Sequence, residues 1–385
     1  MKLHTLYLSL LLAATTSAHA MEFSDAELAR ASALQKRLVT LDSHLDTPAN
    51  LERGDFDVMQ GHAGNRLSQV DYPRMLEGAL DGGFWAVYTG QGNRSAAAHL
   101  DDRDAGLQRL MKIHNLLAAQ PQRFALATTP ADAARIKAAG KRVVYISMEN
   151  ASPLVADPSL LRFYYAQGLR LMSTVHFLNN EFADSATDPK GAEWKGLSPA
   201  GKQLVQQALG IVIDQSHASD AVFDQLIALS PVPIVLSHSG ARAVYNHPRN
   251  IDDARLKVLA AHGGVIQVNS YGGYLIDSGA SPERKAAEKA LADQYGGWEH
   301  LKMSDGTALS EALKALDARY PVKRATEEDF FAHLEHVLAV AGPAHVGIGM
   351  DWDGGGGVVG LEDVSDLPRT VSYTHLRAHE TREDL

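Results

Sequence analysis

Short apolar runs recur along the chain, and longer stretches of mixed polar and apolar residues separate them. Runs rich in Val, Ile and Leu that do not alternate with polar residues are typical of parallel strands buried on both faces. Eight runs meet this description and are predicted to be strands: Leu38–Leu41, Phe84–Tyr88, Val143–Ser147, Leu169–Val175, Gly210–Asp214, Pro233–Ser237, Gly264–Asn269 and His345–Gly349.

Most segments between these runs have apolar residues at helical spacing. The predicted helices are Arg103–Ala119, Pro130–Ala139, Pro199–Leu209, Ala218–Ala228, Asp252–Ala261 and Thr326–Val340, the last with a capping-box-like pair, Thr326 and Asp329. This alternation predicts an α/β fold, a (β/α)8 TIM-type barrel. A doubly wound sheet is the competing fold, but no G-x-G-x-x-G motif follows the first strand. Two long connections, Thr47 to Leu80 and Ser270 to about Lys323, are expected to be lids or to carry helices.

The two ends of the chain differ from the barrel region. Residues 1–20 have the features of a cleaved signal peptide, with an apolar run at Leu6–Ala14 and the cleavage pattern Ala18-His19-Ala20. The barrel domain is assigned to residues 21–370. Residues 371–385 are polar and lack an apolar stripe, so we interpret them as a foreign or artefactual tail on a barrel truncated at its C-terminus. A genuine polar tail is the alternative.

Composition narrows the classes of partner. The formal net charge is −10 and no block of Lys and Arg stands out, which argues against nucleic acid. No apolar run is long enough to span a membrane comfortably. The absence of cysteine excludes disulfides, thiolate ligands and a cysteine nucleophile. A signal peptide on a chain that cannot form disulfides favours secretion into a bacterial periplasm.

Potential metal ligands stand at or just after four of the predicted strands. His44 and Asp46 follow the first strand, Glu149 the third, His217 the fifth and His238 the sixth. The carboxyl ends of barrel strands meet at one rim, where active sites form. Three imidazoles and two carboxylates at that rim are sufficient for two zinc-type ions.

Each of these signals is weak when taken alone. An H-x-D pair such as His44 and Asp46 occurs often by chance, and a single glutamate at a strand end is more often a helix cap or a solvated residue. A single histidine beside an apolar run is more often a hydrogen-bonded structural residue. His217 and His238, however, each follow a serine at equivalent places in successive strand–helix units. This repetition favours metal ligation.

Three further polar residues follow predicted strands and leave their roles open. His176 could be another ligand or a donor to a polarised carbonyl. Asp351 could bind metal, hold a substrate ammonium group or move a proton. Arg249 suits a substrate carboxylate, although an exposed arginine is most often only a solvated charge. Two ions that share a water would supply a hydroxide near neutral pH, and neither a cysteine nor a G-x-S-x-G motif offers a competing nucleophile.

The stretch Leu209–Ser219, LGIVIDQSHAS, resembles the signature of the renal-type membrane dipeptidases of the amidohydrolase superfamily. Other matching stretches are His44–Asp46, Ser237–Ser239, Pro248–Asn250 and Gly347–Gly354. The resemblance covers about Leu38 to Asp366 and implies a barrel of the metal-dependent hydrolase kind. It also implies two zinc ions per chain, one bound by His44 and Asp46 and the other by His217 and His238, with Glu149 bridging them.

The resemblance implies roles for the remaining candidates as well. His176 would bind the substrate carbonyl or its oxyanion, Arg249 the C-terminal carboxylate, and Asp351 the free amine or a proton in transit. Glu149, His176 and Asp351 are therefore the expected catalytic residues. The chain departs from the family in Asn150–Ser152, where relatives usually have glycine, in the pattern of residues 176–180, and after Leu367, where a helical segment is expected to be lacking.

We therefore expect a zinc-dependent dipeptidase in which a metal-bridging hydroxide hydrolyses the peptide bond of a dipeptide, with a homodimer as the candidate assembly. Another binuclear amidohydrolase, acting on a lactone or cyclic amide, is the nearest alternative. Arg249 discriminates between them, because a neutral substrate does not need a carboxylate-binding residue. A non-catalytic metal-binding or peptide-binding protein is the alternative from another class.

Overall fold

The computed structural model describes residues 20–91, 93–295 and 302–374. Within them, parallel strands form one sheet, and they are β1 (Leu41–Leu45), β2 (Gly82–Tyr88), β3 (Phe124–Leu126), β4 (Arg142–Glu149), β5 (Leu169–Ser173), β6 (Val212–Asp214), β7 (Val235–Ser239), β8 (Val265–Val268) and β9 (Val346–Ile348). Eight strands pair in the order β1-β2-β4-β5-β6-β7-β8-β9. The short β3 pairs only with the first residues of β4.

The sheet closes into a barrel where β1 meets the segment that follows β9. Leu45 pairs in parallel with Trp352, and the Asp46 N–H donates to the Trp352 carbonyl over 3.0 Å. The buried carboxylate of Asp42 accepts a hydrogen bond from the Met350 N–H at 3.1 Å. The predicted eight-stranded barrel is confirmed, and its closure brings the ends of the first and last strands together.

The strand boundaries differ from the predicted ones in ways that matter for the site. β1 begins at Leu41 rather than Leu38, and Leu38 and Val39 are 48% and 42% exposed because they join a helix to the strand. β7 continues to Ser239, so His238 lies inside it. β3 was not predicted, because three residues are too short for a recognisable pattern.

Helices surround the barrel and fill the long connections. The α-helices of the described residues are α1 (Asp25–Arg37), α2 (Thr47–Asn50), α3 (Tyr72–Glu77), α4 (Ala96–Ala119), α5 (Pro130–Ala138), α6 (Leu160–Ala166), α7 (Pro199–Gln207), α8 (Asp220–Leu229), α9 (Asp253–Ala261), α10 (Gly272–Leu275), α11 (Pro282–Gln294), α12 (Gly306–Arg319), α13 (Glu327–Ala341) and α14 (Leu367–Ser372). The six predicted helices are confirmed with shifted ends, and both long connections carry helices. The capping box of Thr326 and Asp329 starts α13.

The apolar faces of these helices and the strands form one large core. Ile146 and Ile266 from the barrel and Leu256 and Phe330 from α9 and α13 are all fully buried in it. Among the described residues, no helix combines the length and the apolar character that a membrane span requires. The barrel rim is thus held on a rigid framework, which is what a set of converging side chains requires.

The last described residues pack against the barrel, contrary to expectation. α14 begins at Leu367, where a helical segment was expected to be lacking, and it lies against α1. The side chain of Ser372 is buried, and the Tyr373 ring stacks on Phe331 at a centroid distance of 3.9 Å. Residues 371–374, which the sequence analysis assigned to a foreign or artefactual tail, therefore include side chains that pack against the barrel domain. The rest of that predicted tail, 375–385, lies outside the described residues.

Candidate metal centre and active site

Buried side chains from several strand ends converge on Glu149, the last residue of β4. Glu149 Oε2 lies 3.4 Å from His44 Nε2. Glu149 Oε1 lies 3.0 Å from His217 Nε2 and 3.5 Å from His238 Nε2. The two oxygens of one carboxylate thus face different imidazoles, which is the geometry of a group that can bridge two cations.

His44 and Asp46 reach this cluster from β1 and the residue just after it. Their spacing of two puts both side chains on one face, and His44 Nε2 lies 3.1 Å from Asp46 Oδ2. Asp46 Oδ1 is buried and has no hydrogen-bond partner among the described residues. A buried carboxylate oxygen without a donor is costly unless a cation satisfies it.

His217 and His238 bring two more imidazoles to the same point. Their Nε2 atoms lie 2.9 Å apart. His217 has a left-handed backbone, with φ 70°, a conformation that costs energy in a residue other than glycine and that clusters at functional sites. Its carbonyl accepts a hydrogen bond from the Ala186 N–H at 2.8 Å, which helps to hold it in place.

A hydrogen-bond relay behind His238 fixes which of its nitrogens faces the site. The hydroxyl of Ser237 donates to Asp214 Oδ2 at 2.5 Å, and the Ser237 hydroxyl oxygen lies 2.8 Å from His238 Nδ1. Since the hydroxyl hydrogen is used by Asp214, the hydroxyl oxygen accepts from Nδ1–H. The lone pair of His238 is therefore on Nε2, which points at Glu149, as a metal-ligating histidine requires.

Charges in the cluster favour a bound cation. Burial lowers the pKa of His217 and His238 well below the usual value, with Arg249 adding to the effect, so both are neutral. Burial also opposes a charge on His44, but Glu149 and Asp46 outweigh it and raise the pKa of His44 well above the usual value. The neutral imidazoles of His217 and His238 beside the Glu149 carboxylate are nitrogen and oxygen ligands of the kind that zinc prefers. The carboxylates that stabilise a proton on His44 would also stabilise a metal cation bound there in place of that proton.

His176 lies at the edge of this cluster, in the loop after β5. Its Nε2 is 3.8 Å from Glu149 Oε1, and its ring centroid is 4.2 Å from that of His217. Burial lowers the pKa of His176 and keeps the imidazole neutral. Tyr88 meets the ring edge-on at 4.9 Å, and the half-exposed Phe177 lies against it at 3.9 Å. His176 is thus placed either to coordinate or to donate to a substrate oxygen.

Arg249 is a buried cation, 4% exposed, rather than a solvated surface charge. One terminal nitrogen donates to the His238 carbonyl at 2.9 Å, and its guanidinium carbon lies 5.0 Å from the centroid of the Tyr274 ring. Its Nε has no hydrogen-bond partner, and Arg249 forms no ion pair within the described part of the chain. A buried guanidinium without a counter-ion is suited to an anionic ligand.

Asp351 completes the group from the segment after β9. Its Oδ1 lies 3.9 Å from His44 Nε2, and Asn269 donates to Oδ2 at 3.4 Å. Burial raises the pKa of Asp351 to about 8, with Asp46 and Glu149 adding to the effect. A carboxyl group with such a pKa can hold or release a proton near neutral pH.

The departure from glycine after Glu149 does not disturb the site. Asn150 has φ 69°, in the left-handed region that asparagine tolerates better than most residues. Its side-chain amide donates to the Thr89 carbonyl at 3.0 Å, and its carbonyl oxygen accepts from Asn180 at 3.1 Å. These bonds join the ends of β2 and β4 to the loop that carries His176.

The family model for membrane dipeptidases, peptidase family M19, matches residues 28–383. The chain belongs to this family. The protein is therefore a metallo-dipeptidase of the membrane dipeptidase type, a hydrolase that acts on peptide bonds, and similar solved structures support the same assignment. The family resemblance noted in the sequence is thereby confirmed, and the cluster around Glu149 is its candidate metal centre.

Individual relatives agree with this assignment. Dipeptidase verJ of Clonostachys rogersoniana is 28% identical over 367 residues, which cover 91% of this chain and 82% of that protein. The probable dipeptidase PvdM from Pseudomonas aeruginosa has a similar structure, with a TM-score of 0.76, 26% identity and coverage of 92% of this chain and 94% of its own. A second structure, dipeptidase AC, a metallo peptidase, matches with a TM-score of 0.67, 25% identity and coverage of 88% and 92%.

The structure brings the predicted site residues to one rim of the barrel and adds partners that sequence reasoning missed. The missed residues include Asp214 and Ser237 behind His238 and Tyr274 beneath Arg249. A signal for Asp214 was present, because a carboxylate at the end of an apolar run needs a buried partner. Nothing in the sequence pairs Tyr274 with Arg249, since they lie on different connections.

Proposed function

We propose that the protein is a two-zinc dipeptidase that cleaves dipeptides at the Glu149 cluster. The observation that carries this proposal is the division of the Glu149 carboxylate, with one oxygen facing His44 and the other facing His217 and His238. The donor set of three imidazoles and two carboxylates suits zinc, and the unpartnered Asp46 oxygen gives it a further ligand atom. Zinc ions bound there would lower the pKa of water and polarise the substrate carbonyl.

Residues around the cluster bind the substrate and transfer the proton. Arg249 binds the C-terminal carboxylate of the dipeptide, because it is buried and has an unpartnered donor. His176 donates to the oxygen of the scissile carbonyl, for which its neutral ring needs a proton on the nitrogen that faces the substrate. Asp351 binds the free amine or carries the proton to the leaving nitrogen, because its buried carboxyl group lies beside the cluster, 3.9 Å from His44 Nε2.

Location and assembly are part of the same proposal. We propose that segment 1–20 directs export and that the mature protein resides in a bacterial periplasm; of that segment only Ala20 lies within the described residues. A homodimer is proposed as the assembly. Tyr165 and Leu209, 39% and 82% exposed, line an apolar groove that such a contact would cover.

The test combines metal content with turnover on matched substrates. Purified protein should contain two zinc ions per chain by elemental analysis, and it should hydrolyse free dipeptides. N-acetylated and C-terminally amidated forms of the same dipeptides, and a lactone and a cyclic amide, serve as comparison substrates. Faster turnover of the lactone or the cyclic amide would favour the other amidohydrolase activity, and metal binding without any turnover would favour a binding protein.

A further inference from the structure

His333 joins the outer helix α13 to two segments at the rim of the barrel, one after β7 and the other after β8. Its side chain is fully buried. Nδ1 accepts a hydrogen bond from the Ala241 N–H at 3.0 Å, and Nε2 lies 3.2 Å from the Leu275 carbonyl. Ala241 follows β7 and Leu275 belongs to α10 after β8, so one imidazole joins segments that are not neighbours in sequence.

The two contacts fix the state of the ring. Because Ala241 donates to Nδ1, that nitrogen carries the lone pair, and the proton is on Nε2, where it is donated to Leu275. Burial lowers the pKa of His333, which keeps the ring in this neutral form. Both nitrogens are therefore satisfied by backbone groups and neither is available to a ligand.

The segments that His333 holds are the ones that support Arg249. The Gly240 carbonyl accepts from Ile251 N–H at 2.9 Å, and Arg242 N–H donates to the Ile251 carbonyl at 2.9 Å. This ladder fixes the chain just after Arg249. On the other side, Tyr274 precedes Leu275, and its ring lies under the guanidinium.

Asn250 joins these two supports directly. Its side-chain amide donates to the Tyr274 carbonyl at 2.8 Å. The space between them is closed, since a Cβ on Gly240 would lie 2.5 Å from Asn250 Oδ1 and 2.9 Å from His333 Nδ1. A shift of the imidazole would therefore be transmitted to the backbone on both sides of Arg249.

We propose that His333 is a positioning residue for substrate recognition, acting through Arg249 on the carboxylate of the dipeptide. The proposal rests on the carboxylate-binding role proposed for Arg249. Both ring nitrogens of His333 bond to the backbone of Ala241 and Leu275, and neither of these is a candidate metal ligand. Its loss would allow the Arg249 guanidinium to move, and small displacements of a binding group are costly in a preorganised site.

Two substitutions separate the two contacts. His333→Gln keeps a donor near the Nε2 position but loses the acceptor for Ala241, whereas His333→Asn keeps an acceptor near Nδ1. His333→Gln is expected to raise KM for an alanyl dipeptide about tenfold with a smaller change in kcat, and His333→Asn to recover most of that loss. His336→Gln is the matched control, because His336 lies on the same helix and pairs with Asp253 at its surface; its KM should stay near that of the parent protein.

A double-mutant cycle distinguishes positioning from general destabilisation. In an Arg249→Met background, whose own KM is raised, His333→Gln should change KM less than about twofold, because both changes remove the same interaction. A further tenfold rise in that background, or a loss of kcat and melting temperature without a KM effect, would overturn the proposal. If His333→Gln does not fold, His333→Leu, which lacks both hydrogen-bonding groups, takes its place in the cycle with the same expected results.

The same cycle separates the two proposals. A normal KM in Arg249→Met would reject the role of Arg249, and the positioning role with it. A raised KM in Arg249→Met together with a normal KM in both His333 variants would reject only the role of His333.

Discussion

The hydroxyl of Ser237 donates to Asp214 Oδ2 over 2.5 Å and thereby presents its oxygen to His238 Nδ1. Removing this hydroxyl leaves the His238 ring without its orienting partner. Ser237→Ala should weaken metal binding about 10- to 100-fold, the usual effect of losing such a partner. Competition with a metal chelator measures this. Ser230→Ala, whose hydroxyl bonds only the nearby backbone at the surface, is the control, and equal affinities in the two variants would contradict the relay.

Glu149→Gln should remove at least one zinc ion and nearly all turnover. The amide nitrogen of glutamine cannot ligate, so only one of the two bridging oxygens would remain. Elemental analysis and a dipeptide assay measure the two effects separately. Full metal content and activity in this variant would remove the bridging assignment.

Arg249→Lys should impair catalysis on free dipeptides far more than a change between two cations suggests. Lysine lacks the planar fork that binds a carboxylate through two parallel hydrogen bonds. We expect a loss of about tenfold or more in kcat/KM, corresponding to one charge-assisted hydrogen bond. The same variant should be affected much less with a C-terminally amidated dipeptide. Undiminished hydrolysis of the amide by the parent protein would argue against a carboxylate at Arg249.

Tyr373 gives the C-terminal segment a measurable role in stability. Its ring is parallel to that of the buried Phe331, and its hydroxyl donates to the Glu335 carboxylate at 2.6 Å. Tyr373→Ala should lower the free energy of unfolding by about 1–2 kcal/mol, whereas Tyr373→Phe should retain most of it through the ring contact. Thermal unfolding compares them. Equal melting temperatures for the parent and Tyr373→Ala would show that the ring contact with Phe331 does not stabilise the fold.

Asp366 should make stability depend on pH. Burial raises its pKa to about 6, helped by Asp363 and Glu362, whereas the unfolded chain has about 3.9. Because the pKa is raised on folding, the contribution of Asp366 to the free energy of unfolding is fully present below about pH 4. It is lost as the pH rises through 6. Asp366→Asn keeps an acceptor for the Glu362 N–H and avoids the buried charge.

Asp366→Asn should therefore be more stable than the parent by about 1–2 kcal/mol at pH 8 and nearly equal to it at pH 4. Unfolding by denaturant at both pH values measures the difference. Asp104→Asn, at an exposed carboxylate paired with Arg103, is the control. A difference between Asp366→Asn and the parent that does not change with pH would reject the raised pKa.

Sequence reasoning predicted the barrel and the candidate ligands because both depend on local patterns. Continuous apolar runs identified the strands, and His217 and His238 were recognisable because each follows such a run after a serine. The predicted start of the first strand at Leu38 was wrong, because an apolar residue in a connection has the same pattern in the sequence as one in a strand. α14 was missed because its six residues are too few to show a helical period.

The sequence by itself determined which chemical groups are delivered to the rim of the barrel, since strand order and the spacing of two between His44 and Asp46 decide that. Only the tertiary structure decided the protonation, the orientation and the burial of those groups. The tautomer of His238 depends on Asp214 from another strand, the burial of Arg249 depends on Tyr274 from another connection, and the fit of α14 depends on α1 from the opposite end of the chain. Each is a contact between residues far apart in sequence, and its energy depends on distances that folding alone establishes.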